Sequence, residues 1–223
     1  PHRGLPRPDV LLDVLLHPHV VAADRVEDVD PAERRDLPPD GAGVQAEVEP
    51  ADNRHAPEDR ERIFRAVRVA EELISREKVV LLTGTFASNV GLAVANLAAQ
   101  RKIVFIAAEP LTDKIVWENG NRYTFRLRAS TYMQTAMLIP EAVKLKKARW
   151  AIVYPNYEYG QSATASFKKL LSQAQPGVQF VGEQAPPLGK IDAGAVVQAL
   201  IDAKPEAIFS SLFAADLQKF VRE

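Results

Sequence analysis

A chain of 223 residues that is 47% hydrophobic holds enough apolar material for one large domain or two small ones. Its 28 basic and 29 acidic residues nearly cancel, which excludes a general electrostatic attraction to nucleic acid or to an anionic membrane and leaves a small molecule or a protein as the expected partner. The absence of cysteine excludes disulfides, thiolate metal sites and cysteine nucleophiles.

Taken in chain order, residues 1–62 stand apart. They contain no Ser, Thr, Lys, Ile, Met, Phe, Tyr or Trp, yet hold all four histidines and nine of the sixteen prolines. A stretch such as DPAERRDLPPDGAGVQAEVEPADNRHAPEDRER has no sustained apolar period and reads as poorly ordered. Two accounts remain open: a natural disordered arm, or translation from the wrong frame, to which the bias toward residues with GC-rich codons points. The early apolar run at 10–16 is interrupted by Asp13 and lacks a small-residue cleavage site, so it reads as neither a membrane span nor a signal peptide.

From Ile63 the pattern becomes regular. IFRAVRVAEELISREK places Ile63, Val67, Ala70, Leu73 and Ile74 on one helical face. The strand VVLLTG follows, then a helix SNVGLAVANLAAQRK opened by Ser88 or Asn89 as cap, and a second buried strand KIVFIAAE. RYTFRLR reads as an extended segment, with arginines at 122, 126 and 128 suiting a partly exposed crossing strand. A helix over 131–145, the strand RWAIVYP, the helix EYGQSATASFKKLLSQA, the strand VQFVGEQAP, the helix DAGAVVQALIDAK, the strand EAIFSSLF and a last helix from AADLQKFVRE complete the chain. This alternation predicts an α/β fold of right-handed βαβ units with parallel sheets. The crossing segment divides it into a first lobe over 63–128 and a second over 129–223.

In open parallel sheets, ligands bind beyond the carboxyl ends of the strands. TGTFASN, AAEPLTD, YPNYEYGQS and SSLFAAD all fall at such ends. No GxGxxG or GK[ST] follows a strand, and no GxSxG elbow is paired with a histidine, because none follows His55. Glu109, Asp113, Glu158 and Asp216 lack metal-ligand spacing. Loops of Ser, Thr, Asn and aromatic residues suit recognition without chemistry, so no enzyme activity, catalytic residue, metal or cofactor is expected.

The run EELISREKVVLLTGTFASNVGLAVANLAAQRKIVFIAAEPLTD, then NGNRYTFRLRASTYMQTAM, KKARWAIVYPNYEYGQSATASFKKLL and KPEAIFSSLFAADLQKFVRE, resembles the substrate-binding proteins of branched-chain amino-acid-type ABC transporters. The resemblance runs from Ala66 to the C-terminus and implies the type I periplasmic-binding-protein fold, two Rossmann-like lobes with parallel sheets. It further implies an extracytoplasmic protein that captures an amino-acid-like or small carboxylate ligand between the lobes for delivery to an ABC permease. Ser88 stands where the family's serine meets the ligand carboxylate. Ala108, Glu109 and Thr112 stand in the next loop, where EPLT replaces the commoner Ala-Thr pattern. Tyr159 and Phe213 are the implied aromatic contacts of the second lobe.

Plainer readings stay beside these: Ser88 as a helix cap, Glu109 as a solvated loop acid, Tyr132 as hinge packing, and Trp117 and Trp150 as packing. A ligand-sensing domain of a receptor or regulator with the same fold is the alternative function. Family members have further strands on both sides of this stretch. The fold is therefore expected to be incomplete, with a bare sheet edge in the first lobe.

Overall fold

The computed structural model describes residues 20–22 and 57–223. In chain order the elements are β1 (Val20–Ala22), α1 (Pro57–Ser75), β2 (Leu81–Gly84), α2 (Ser88–Arg101), β3 (Val104–Ala107), a 3-10 turn (Asp113–Ile115) and β4 (Thr124–Arg126). There follow α3 (Thr131–Lys144), β5 (Arg149–Val153), α4 (Glu158–Ala174), β6 (Gln179–Gln184), α5 (Ala193–Asp202), β7 (Ala207–Ser210) and α6 (Ala214–Arg222). The expected alternation of strand and helix is present.

The strands form two sheets, one per lobe. The first has the order β1-β2-β3-β4 and the second β6-β5-β7. Strands β2, β3 and β4 run parallel, as do all three strands of the second sheet. The bare edge expected beside β2 is occupied: Val20–Ala22 pairs with it antiparallel, Val20 opposite Gly84. The remainder of 1–56 lies outside the described residues, and with it the question of a disordered or misread arm.

Helix α1 begins six residues before the apolar period does. The segment PEDRER supplies a proline at the first helical position and acidic residues in the first turn, both favourable there. The first core gathers Ala66 and Ala70 of α1, Val90, Val94 and Ala98 of α2, and Leu82 and Phe105 of the sheet. In the second lobe the two-residue period of β5 sorts its side chains by face. Trp150 and Ile152 join Phe167 and Phe209 on the α3–α4 side, while Ala151 and Val153 join Val196 and Leu200 on the α5 side. The Phe167 and Phe209 rings stack at 4.0 Å, 7° from parallel. The Trp150 indole N–H donates to Lys147 O at 2.9 Å, so its role is packing with a satisfied polar end.

Two glycines set the walls of the cleft. A Cβ on Gly91, in the first turn of α2, would lie 2.4 Å from Pro110 Cγ, so only glycine lets the 108–112 loop press against that helix. On the other lobe a Cβ on Gly160, in the first turn of α4, would lie 2.1 Å from Pro155 O. In both places a helix N-terminus is brought tight against the loop that precedes or faces it.

Candidate functional site

The carboxyl ends of β2, β3, β5 and β7 deliver their loops to one place. There a cavity of about 190 Å³ is lined by Phe86, Ser88, Glu109, Leu111 and Arg128 from the first lobe and by Tyr157, Tyr159 and Phe213 from the second.

Ser88 is the first residue of α2, not its cap. The N-cap is Ala87, which offers no side chain to the first-turn amides. Asn89 Oδ1 instead accepts from the N–H of Val90 at 2.9 Å. Ser88 is 2% exposed, and its hydroxyl accepts from the N–H groups of Leu111 and Thr112 at 3.3 and 3.2 Å. Those two bonds use both of its lone pairs, so its own proton is left to donate. At this point the cavity also meets the positive end of the α2 dipole. The combination of an oriented hydroxyl donor and a helix N-terminus whose cap residue, Ala87, offers no side chain suits an anion.

Also lining the cavity, Glu109 is paired with Arg128, Nη1 donating to Oε2. The two side chains keep 40% and 50% of their surface exposed, so the pair lies at the mouth and not in the core. The walls are aromatic. Phe86 meets Phe213 edge-on at 6.1 Å, Phe213 meets Tyr159 edge-on at 6.0 Å, and Tyr157 lies 6.0 Å from Tyr159. Burial raises the Tyr159 phenol above its ordinary value, while nearby Arg128 pulls it back. Burial likewise raises Tyr157, with Tyr159 adding to the effect. Both phenols are therefore neutral donors and acceptors at neutral pH.

Of the six residues singled out from sequence, Ser88, Glu109, Tyr159 and Phe213 come together in this cavity. Ala108 and Thr112 are not in its lining. The Ala108 N–H donates to Gly84 O at 3.1 Å, continuing the β2–β3 pairing. Thr112 is fully buried and its hydroxyl donates to Glu158 Oε1 at 2.7 Å, across the lobes. Sequence reasoning passed over Phe86, Leu111, Tyr157 and Arg128. Phe86 and Tyr157 sit in strand-end loops already singled out, so position was a usable signal; Arg128 gave none, because its alternation with Arg126 suited a solvated strand.

Beside the cavity lies a second cluster that the sequence showed only as scattered acids. Asp113, 8% exposed, comes from the 3-10 turn of the first lobe. Its Oδ2 accepts from Thr131 Oγ1 at 2.7 Å, from Ser162 and Ser166 Oγ at 3.2 Å each, and from the Tyr132 N–H at 3.1 Å. Thr131 and Tyr132 open α3, and the serines lie one turn apart on α4. Alongside, Glu158 accepts from Thr112 and from Lys114 Nζ at 2.9 Å. Tyr132 packs edge-on against Trp117 at 5.4 Å, in keeping with a packing role for both. This cluster ties the lobes together. Among the described residues no group of three or more His, Asp or Glu could hold a metal ion, and no helix is long and apolar enough to cross a membrane.

A family model described as periplasmic binding protein matches residues 39–223, beginning inside the span whose composition sets it apart. A solute-binding protein of an ABC transporter from Rhodopseudomonas palustris HaA2, solved with p-hydroxybenzoic acid, is 26% identical with a TM-score of 0.65, over 71% of this chain and 42% of that one. Another from R. palustris BisB5, solved with 3,4-dihydroxybenzoic acid, is 27% identical with a TM-score of 0.64, over 72% and 44%. An amino-acid ABC transporter substrate-binding protein from Pseudomonas fluorescens Pf-5, at 23% identity and TM-score 0.62 over 72% and 43%, shows the fold alone. The chain thus spans less than half the length of these solved relatives. No protein of curated function matches it.

Proposed function

The chain belongs to the periplasmic-binding-protein family, and from that premise we propose that it captures an amino-acid-like or small carboxylate ligand between its lobes, outside the cytoplasm, for delivery to an ABC permease. In this reading the lobes divide at residues 128 and 129, and the ligand contacts are Ser88, Glu109, Tyr159 and Phe213, with Ala108 and Thr112 shaping the loop behind them. The observation that carries it is the cavity itself: a hydroxyl with only its proton left to give, at a helix N-terminus whose cap residue offers no side chain, opposite aromatic side chains of the other lobe. The relatives solved with hydroxylated benzoic acids, and the one named for amino acids, are consistent with both ligand classes.

The mechanism follows from the placement of these residues on two bodies. A carboxylate held at Ser88 is bound by the first lobe, whereas Tyr159 and Phe213 can cover it only when the lobes are together. The ligand therefore favours the closed arrangement by the contacts it makes in that arrangement alone. A permease that recognises the closed arrangement would then respond to loaded protein only. A thermal-shift screen of amino acids and aromatic or aliphatic carboxylates, followed by calorimetry, tests the reading. Stabilisation by at least one such compound, abolished in Ser88→Ala, is the expected result; a folded protein stabilised by none of them would count against it.

A further inference from the structure

The Arg128–Glu109 pair carries an inference about ligand class that rests on the solute-binding reading above. We propose that this pair makes the cavity select an aromatic carboxylate that has no α-ammonium group over the corresponding amino acid.

The argument is an inventory of charge. The cavity lining holds one acid and one base, and they are bonded to each other. An incoming carboxylate finds three attractions that need no rearrangement: the Ser88 hydroxyl proton, the positive end of the α2 dipole, and N–H groups of Arg128. The guanidinium carries five N–H donors, and one of them serves Glu109. An incoming ammonium finds one carboxylate, Glu109, and that carboxylate is neutralised. Its Oε1 is not used in that bond, but an ammonium placed there would lie beside the guanidinium that already compensates the charge. A cation set against the aromatic walls would share the space with that same guanidinium, a like charge. The asymmetry favours an anion over a zwitterion.

The walls supply the second half of the statement. Phe86, Tyr157, Tyr159 and Phe213 surround the site, and their mutual contacts are edge-to-face or tilted. A flat ring inserted among them gains the same kind of contact, since aromatic pairs favour these geometries. The volume of about 190 Å³ lies below the roughly 300 Å³ at which pockets for drug-sized ligands begin, and so suits a single ring with a short acid arm. The Glu109 carboxylate and the Arg128 donors at the mouth would then serve polar groups on the ring.

The test compares two ligands that differ by the ammonium group alone, 3-phenylpropanoate and L-phenylalanine, with benzoate and L-leucine as second members of each class. Calorimetry on the full chain should give a Kd for 3-phenylpropanoate at least tenfold below that for L-phenylalanine. Arg128→Met should shrink or invert that ratio, because it removes the like charge beside the ammonium and the donors for the carboxylate. Glu109→Gln should widen it. L-Phenylalanine binding as tightly as 3-phenylpropanoate, or a ratio untouched by Arg128→Met in a protein of unchanged melting cooperativity, would overturn the proposal. Binding of amino acids alone would overturn the selectivity and leave solute binding standing, whereas binding of none of the four by folded protein would overturn both. The wild-type ratio decides the matter even if either variant fails to fold.

Discussion

Two regions join the lobes, and they are chemically opposite. Around Asp113 the contact is polar and self-contained, with one carboxylate taking three hydroxyl donors and a helix amide. A few residues away the contact is aromatic and surrounds a space, and one of its polar groups, the Ser88 hydroxyl, keeps an unused proton. The first region is complete in itself; the second has, in the reading proposed above, a place left for a ligand. Buried polar networks of the first kind fix a unique arrangement when every member is satisfied. In the proposed reading, registration of the lobes rests on Asp113 and recognition of the ligand on the cavity residues, with Ser88 and the loop 108–113 contributing to both.

The largest expected effect comes from breaking the polar region. Asp113→Ala leaves Thr131, Ser162, Ser166 and the Tyr132 amide without their acceptor, and should lower stability by about 3 kcal/mol or more, read from urea melts. An unchanged midpoint would mean that the lobes are not registered through this carboxylate. Tyr159→Ala should do the opposite: ligand affinity falls about tenfold, near 1.4 kcal/mol, with stability moved far less than by the Asp113 change.

Ser88→Ala sharpens the boundary because Ser88 belongs to both sides. Its loss should weaken carboxylate binding about tenfold and also cost roughly 1–2 kcal/mol of stability, since the Leu111 and Thr112 amides lose their acceptor. Calorimetry and melts on one preparation separate the two effects. A variant that lost stability and kept its affinity would reduce Ser88 to a structural tie.

The smallest effect is expected in alkali. Burial, followed by the hydrogen bond to Glu183, raises the Tyr154 phenol to about 12. The unfolded chain ionises near its ordinary value of about 10. Stability from this group is therefore complete below about pH 10 and is lost as pH rises through about 12. Urea midpoints together with phenolate absorbance would follow it. In the cavity, Arg128→Met should move the Tyr159 phenol further up, because it removes the cation that draws it down. A downward movement would place Arg128 away from that ring.

Much of this was legible in the sequence, for reasons that are local. The apolar period of VVLLTG and KIVFIAAE marked β2 and β3 within a few residues, and the runs between them marked the helices. Errors fell where a second local signal competed. Helix α1 starts at Pro57, with a proline at its first position and acids in its first turn, before the apolar stripe begins. Ser88 looked like a cap by residue type, yet the chain turns one residue earlier at Ala87. Thr85 also gave no warning: a β-branched side chain held at φ 63°, at a cost of roughly 1–2 kcal/mol, beside the cavity residue Phe86.

The sequence by itself determined the α/β alternation, the four strand-end loops that meet at the cleft, and the family resemblance that the comparisons bear out. It did so because hydrophobic periodicity and strand-to-helix turns are written in contiguous residues. Only the tertiary structure decided which polar groups are occupied: Thr112 by Glu158, Glu109 by Arg128, and Asp113 by residues 18 to 53 positions away. Those pairings depend on how two lobes cross and at what angle two helices present their first turns. No local period encodes that geometry, and the ligand preference proposed for the cavity rests on it.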